Sequence, residues 1–376
     1  MASVVVLGGG FGGAAAALTC RELLPEQHQV TIVDRSAESF LCGVNPAVIV
    51  GDQAPLARTL TKLPKQGIRL VEGEIESIDV ARRLVATSAG ELAWDHLVIA
   101  LGVAYDWDAV PGSRNAYSFY DRATSLRLRD RILAFEGGSI VIGIGGSPYR
   151  CPPAPFEAVL MIDAHLRDRG IREQTELTVA IPEPRPLAVA GPAASDRIEA
   201  LLEERGVGLL TGRHVSLVDS TTVEFSDGTR VSADVPITIP VHQLPSVVAD
   251  SGIANDSPFV PVDRATLETS TPGVFAIGDV NTIPVGPKAV PKAGVFATAQ
   301  GRHAASVVAH RLGTTTDLGD YEAVGNCFLM LGAGIGAELG GNFFAEGGPA
   351  VRLGEPSAEG RLAKTEFERA WARFEM

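Results

Sequence analysis

The 376-residue chain is poor in most features that assign a protein quickly to a class. It has no basic excess: 32 Lys and Arg stand against 45 Asp and Glu, a formal charge of −13. A surface of that sign cannot neutralise phosphate backbones, so nucleic acid is excluded as a partner. No apolar run reaches the roughly 18 residues of a membrane-spanning helix, which leaves membrane contact at most peripheral. The first strand begins at Ser3, with no basic and apolar leader before it, and the expected location is cytoplasmic. The seven His are scattered without metal-ligand spacing, so no metal site is expected. No Gly-x-Ser-x-Gly elbow marks a hydrolase. Cysteine is scarce as well. Four in a chain of this length, in a reducing compartment, are not a disulfide framework and must be catalytic, cofactor-linked or merely buried.

What is present is ordinary globular material, 45% hydrophobic and 20% charged, enriched in glycine (41 residues). The length allows two or three domains. An apolar strand over 3–7 runs into Gly8-Gly9-Gly10-Phe11-Gly12-Gly13, then a helix over 14–24 and a second strand over 30–33 that ends at Asp34. Gly8 permits the tight turn, Gly10 lets backbone approach a pyrophosphate, and Gly13 allows helix and strand to touch. Asp34, followed by Arg35, can bond ribose hydroxyls. Together these residues predict a dinucleotide site.

Short strands are expected over 68–71, 74–79 and 84–87, followed by an apolar strand over 97–100 ending in Leu101-Gly102. Such a βββ insert is typical of FAD domains in oxidoreductases with two dinucleotide folds. A helix over 121–136 and a strand over 139–142 begin a second βαβ unit. Its turn places Pro148 where a third glycine belongs, which disfavours NAD(P) there even though Glu183 could imitate the ribose acid. A hairpin follows around Ser226-Asp227-Gly228-Thr229, then a strand over 235–239. An apolar strand next empties into Gly278-Asp279, suited to a ribityl chain. A helix from about 294 to 310 would aim its amides at the flavin ring. The expected fold class is α/β, with two Rossmann-like dinucleotide-binding domains and a small C-terminal domain. The expected boundaries are 1–105 with 242–310 for FAD, 106–241 for the degenerate second unit, and 311–376 for an interface domain.

Beyond the glycine fingerprint, the specific blocks are Phe40-Leu41-Cys42, Arg150-Cys151-Pro152-Pro153-Ala154-Pro155-Phe156-Glu157, Pro291-Lys292-Ala293-Gly294 and Asn326-Cys327-Phe328. On these the chain resembles the flavoprotein subunit of flavocytochrome c sulfide dehydrogenases and their kin, the sulfide:quinone oxidoreductases, almost from end to end. The resemblance implies FAD, and a redox-active disulfide between Cys151 and Cys327. It also implies a covalent flavin link or a plain ring-side thiol at Cys42, Glu157 near the sulfur site, and Lys292 with Ala293 and Gly294 near the flavin. A small sulfur substrate would be its partner, and the acceptor (quinone, cytochrome or other) stays open. The expected activity is FAD-dependent oxidation of sulfide or a small thiol or persulfide. An NAD(P)H dehydrogenase or quinone reductase of the same superfamily and a non-catalytic electron-transfer flavoprotein are the alternatives.

Each thiol also has a plainer explanation. Cys151 could be a half-buried loop thiol. Cys327, in a Gly-rich loop, could be buried filler, and Cys20 on the first helix reads as core. Glu157 is either a base for the sulfur substrate or a charge at a helix N-terminus. Lys292 is a flavin neighbour or a solvated loop lysine. Phe367, Trp371 and Phe374 form an apolar stripe that packs on the body, on a second subunit in a homodimer, or against a bilayer or quinone. Glu366, Glu368 and Glu375 argue against an anionic membrane surface.

Overall fold

The computed structural model describes residues 1–316 and 318–375; Asp317 and Met376, both inside the expected 311–376 segment, lie outside them. The N-terminal pattern folds into a five-stranded parallel sheet in the order Val274–Ala276, His96–Ile99, Ser3–Leu7, Gln29–Asp34, Arg69–Glu72. Ser3–Leu7 lies at its centre, and its Val-Val-Val-Leu run is buried on both faces, as a covered parallel strand requires. Helix Phe11–Leu23 packs against helix Gly294–Arg311 through small residues. A Cβ on Gly301 would overlap the Gly12 carbonyl, so the two backbones touch. This explains an alanine run that carries little amphipathic pattern of its own.

The second βαβ unit builds a four-stranded parallel sheet, Gly208–Leu210, Thr175–Ala180, Gly138–Ile144, Val235–Ile239. Helix Arg122–Leu133 precedes it, with the Asp121 carboxylate accepting from the Thr124 N–H at 2.8 Å as N-cap. Two antiparallel three-stranded ribbons decorate the sheets, 75–79/84–87/90–93 and 215–218/222–225/230–232. The C-terminal segment is a third, with strands Val324–Gly332, Ile335–Asn342 and Ala350–Leu353 followed by helix Ala358–Arg373. A continuous core joins the pieces, from Ile32 and Val98 through Phe119 and Ile142 to Phe156 and Leu329.

Two expectations are corrected, and one strand is added. The strand expected over 68–71 is the edge of the parallel sheet, not part of the insert, whose third strand is Gly90–Ala93. The strand Val215–Val218 has no counterpart in the expected elements. Cys327 stands on a nine-residue strand rather than in a Gly-rich loop. The glycines around it are absorbed by sheet pairing: a Cβ on Gly340 would overlap the Asn326 amide across the ladder.

Candidate active site

The dinucleotide turn has the geometry its sequence demands. Gly8 sits at φ 98°, and a Cβ there would stand 2.5 Å from the Ala100 carbonyl oxygen. A Cβ on Gly13 would overlap the Gly8 carbonyl oxygen, so only glycine lets the helix close on the strand. Asp34 accepts from the Gly9 N–H at 2.6 Å and from the Ser36 N–H at 3.0 Å, leaving lone pairs on both oxygens toward the cavity. Arg35 is exposed at the rim. The cavity beside this turn holds about 900 Å³ and is walled by residues from all three parts of the fold.

Gly278, Asp279, Lys292, Ala293 and Gly294 line the same cavity, and Gly294 lies against the Phe11 ring beside the turn. Lys292 is buried, donating to the carbonyl oxygens of Asp279 at 2.6 Å and Asn281 at 3.0 Å. Its Nζ also lies 3.5 Å from the Phe259 ring centroid. The solvated-loop alternative for Lys292 therefore falls. Burial pushes its ammonium down to about 8 against the pull of Asp279. Burial also raises the Asp279 carboxyl, opposed by Lys292 and Arg150. The Phe11 ring does not reach into the cavity unaccompanied: it stacks on Phe367 at 6.1 Å and leans on Trp371 at 5.9 Å.

Cys42, Cys151 and Cys327 all line this one cavity as half-buried, unbonded thiols, and Cys20 is fully buried elsewhere. Cys42 belongs to the short turn Cys42–Val44. Cys151 is held at φ 53°, in the left-handed region that costs a non-glycine residue roughly 1–3 kcal/mol. Its N–H donates to the Lys292 carbonyl at 2.7 Å, which ties the thiol loop to the Lys292 segment. The prolines behind it end the loop, and helix Ala154–Asp168 starts with Pro155 in its first turn. That helix presents Glu157, buried, to the same cavity. Glu157 thus stands in the first turn of its helix, as the N-terminal-charge reading has it, but buried on the cavity wall. Burial raises its carboxyl, and a salt bridge from Lys364 of the last helix opposes the rise. Burial also drives both thiols up, Cys327 to about 12 and Cys151 well above its ordinary value.

The family description "Pyridine nucleotide-disulphide oxidoreductase" matches residues 2–301. The sulfide-quinone reductase of Aquifex aeolicus is 30% identical over 316 residues, covering 78% of this chain and 73% of that protein. The chain belongs to the sulfide-quinone reductase family. The mitochondrial sulfide:quinone oxidoreductase of Mus musculus is a more distant relative, 23% identical over 75% of this chain and 66% of its own length. The solved structure of the Aquifex aeolicus sulfide:quinone oxidoreductase superposes with a TM-score of 0.90 at 25% identity, over 99% of this chain and 92% of that one.

This sulfide-quinone reductase relative is an FAD-dependent oxidoreductase, and its cavity fits the cofactor. Gly10 and Gly102 have open space where a Cβ would project, leaving bare backbone on the cavity wall. Helix Phe11–Leu23 and helix Gly294–Arg311 both start at this wall, each with unpaired N–H groups. The Asp279 carboxylate makes no hydrogen bond among the described residues, so it is free to accept from a hydroxylated chain.

Several site residues carried no expected role. Arg150 donates to the Tyr120 carbonyl and lies 5.4 Å from the Tyr105 and Tyr120 ring centroids. Lys364 and Glu368 reach the cavity from the last helix. The readable signal for Lys364 was its position on the face that carries Phe367 and Trp371: a lysine inside an apolar stripe needs a buried partner. In the second βαβ turn, Ser147 Oγ donates to one Glu183 oxygen at 2.7 Å, and the other oxygen is buried without a partner.

Proposed function

We propose that this protein oxidises sulfide, or a small thiol or persulfide, at Cys151 and Cys327 and passes the electrons through FAD to a quinone. The observation that carries the reading is the convergence of these two thiols, from a loop and a distant strand, on the cavity that the dinucleotide turn opens into. The acceptor is taken from the name of the Aquifex aeolicus relative.

Bound FAD would supply the two-electron acceptor beside the thiols, held by the Gly8–Gly13 turn, Asp34, Asp279 and the N-terminus of helix Gly294–Arg311. The chain's own contribution begins with the oxidised cysteine pair. HS⁻ attacks one sulfur, a substrate–cysteine S–S bond forms, the Cys–Cys bond breaks, and the other cysteine leaves as thiolate. Glu157 receives the proton when the substrate arrives as H₂S. The proline-bounded loop keeps Cys151 from swinging away between turnovers. Cys42, on the cavity wall, is either a covalent tether for the flavin or a thiol beside it. Acid denaturation followed by ultrafiltration separates these, since a tethered flavin stays with the polypeptide.

Anaerobic addition of sulfide should bleach the flavin absorbance of the purified protein. Rapid bleaching by NADH with none by sulfide would sink the reading in favour of an NAD(P)H dehydrogenase. That alternative has against it Pro148 in the second nucleotide turn.

A further inference from the structure

The proposed chemistry uses Glu157 but leaves its buried ion-pair partner, Lys364, without a role. The two residues come from helices Ala154–Asp168 and Ala358–Arg373, their side chains are 3% and 5% exposed, and both line the cavity with Cys151 and Cys327. A charge pair so far from water is a costly way to hold two helices together, because apolar residues of similar size often do it as well. The thiols beside it have the opposite need. Each must lose a proton to react, and a thiolate in this wall requires a cation.

We propose that Lys364 is a positioning residue, a fixed buried cation across which one negative charge passes between the Glu157 carboxylate and the thiols of Cys151 and Cys327. In the step, an S–H bond of one cysteine breaks and the proton bonds to a Glu157 oxygen. The cysteine becomes a thiolate, Glu157 becomes a neutral acid, and the charge facing Lys364 stays at one. No net charge is created in the wall, so the desolvation cost that would forbid a lone thiolate is avoided. The inference rests on the proposed sulfur chemistry for its purpose, though not for its test.

The electrostatics carry the required signs. Burial is the largest influence on both thiols; Cys327 comes next for Cys151, and beyond it Glu157 pushes each thiol up while Lys364 pulls each down. Cys42, from the turn Cys42–Val44, adds to the upward push on Cys151. Tyr120 and Tyr149, both buried, also face Cys151, and Glu368, one turn beyond Lys364, raises Glu157. Gln53 donates to one Glu368 oxygen at 3.1 Å, and the other is buried without a partner.

The test is the pH dependence of iodoacetamide alkylation at Cys151 and Cys327 in reduced, flavin-loaded protein, read peptide by peptide by mass spectrometry. Lys364→Met should raise the alkylation midpoints by roughly one to two pH units, and Glu157→Gln should lower them by a similar amount. Lys364→Arg should stay near wild type. Loosening of the wall alone predicts shifts of the same direction in both variants, and an ion pair that does not act on the thiols predicts no shift; either result overturns the proposal. Should Lys364→Met fail to fold, Glu157→Gln decides alone: a lowered midpoint supports the proposal, and an unchanged or raised one refutes it. Alkylation uses no sulfide. Failure of sulfide to bleach the flavin would therefore sink the functional reading and leave this result standing.

Discussion

Arg58 is the residue through which the last helix grips the dinucleotide turn, and Arg58→Met should release that grip. Its guanidinium is buried, donating to the Gly10 carbonyl at 3.0 Å and the Trp371 carbonyl at 3.1 Å. It lies 4.5 Å from the Trp371 ring centroid and 4.3 Å from that of Phe374. Two hydrogen bonds from a charged donor contribute roughly 1.5–3 kcal/mol each, and two desolvated ring contacts about 1 kcal/mol each. Against this stands burial, which lowers the guanidinium from its ordinary 12.5 to about 10, a penalty of about 3 kcal/mol. The balance is about 2–5 kcal/mol, and methionine keeps the apolar contact. Native-state hydrogen exchange is the assay. Amides of helix Ala358–Arg373 should exchange on the order of 100-fold faster in the variant, while those of helix Ala154–Asp168 barely change. Unchanged protection of the last helix would refute the grip. Uniform loss across the chain would also refute it, by showing global rather than local destabilisation.

Gly13→Ala puts a methyl group onto the Gly8 carbonyl, so the variant should purify without flavin; full flavin occupancy by absorbance would contradict the turn geometry. Cys151→Ser should abolish flavin bleaching by sulfide while leaving photoreduction of the flavin intact, and retained sulfide bleaching would remove Cys151 from the reaction. In the cofactor-free protein, the folded-state value for Lys292 lies near 8, below its ordinary 10.5. Its charged form therefore costs stability in full below about pH 8, and the cost fades as pH rises toward 10.5. Chemical denaturation should show wild type gaining about 3 kcal/mol on Lys292→Met across that window, and parallel curves would contradict it.

Much of the fold was legible because short-range rules impose it. The Val-Val-Val-Leu strand, the glycines at 8 and 13, and Asp34 each have one conformation in which their chemistry makes sense, and the structure adopts it. Misreadings came where identity depends on a distant neighbour. Residues 68–71 look alike as insert or as sheet edge until Gln29–Asp34 is there to pair with them. The glycines around Cys327 look like a loop until Ile335–Asn342 crosses them.

By itself the sequence determined that this chain builds a dinucleotide cavity, that its second nucleotide turn carries Pro148 in place of a third glycine, and that Cys151 stands in a proline-bounded loop. Those outcomes follow from sterics and hydrogen-bonding capacity within a few residues. Only the tertiary structure decided that Cys327 and Cys151 share a wall, that Lys364 neutralises Glu157 there, and that Arg58 anchors the last helix to the glycine turn. Each joins residues from separate elements, and a buried charge finds its partner only when the whole chain has excluded water from both.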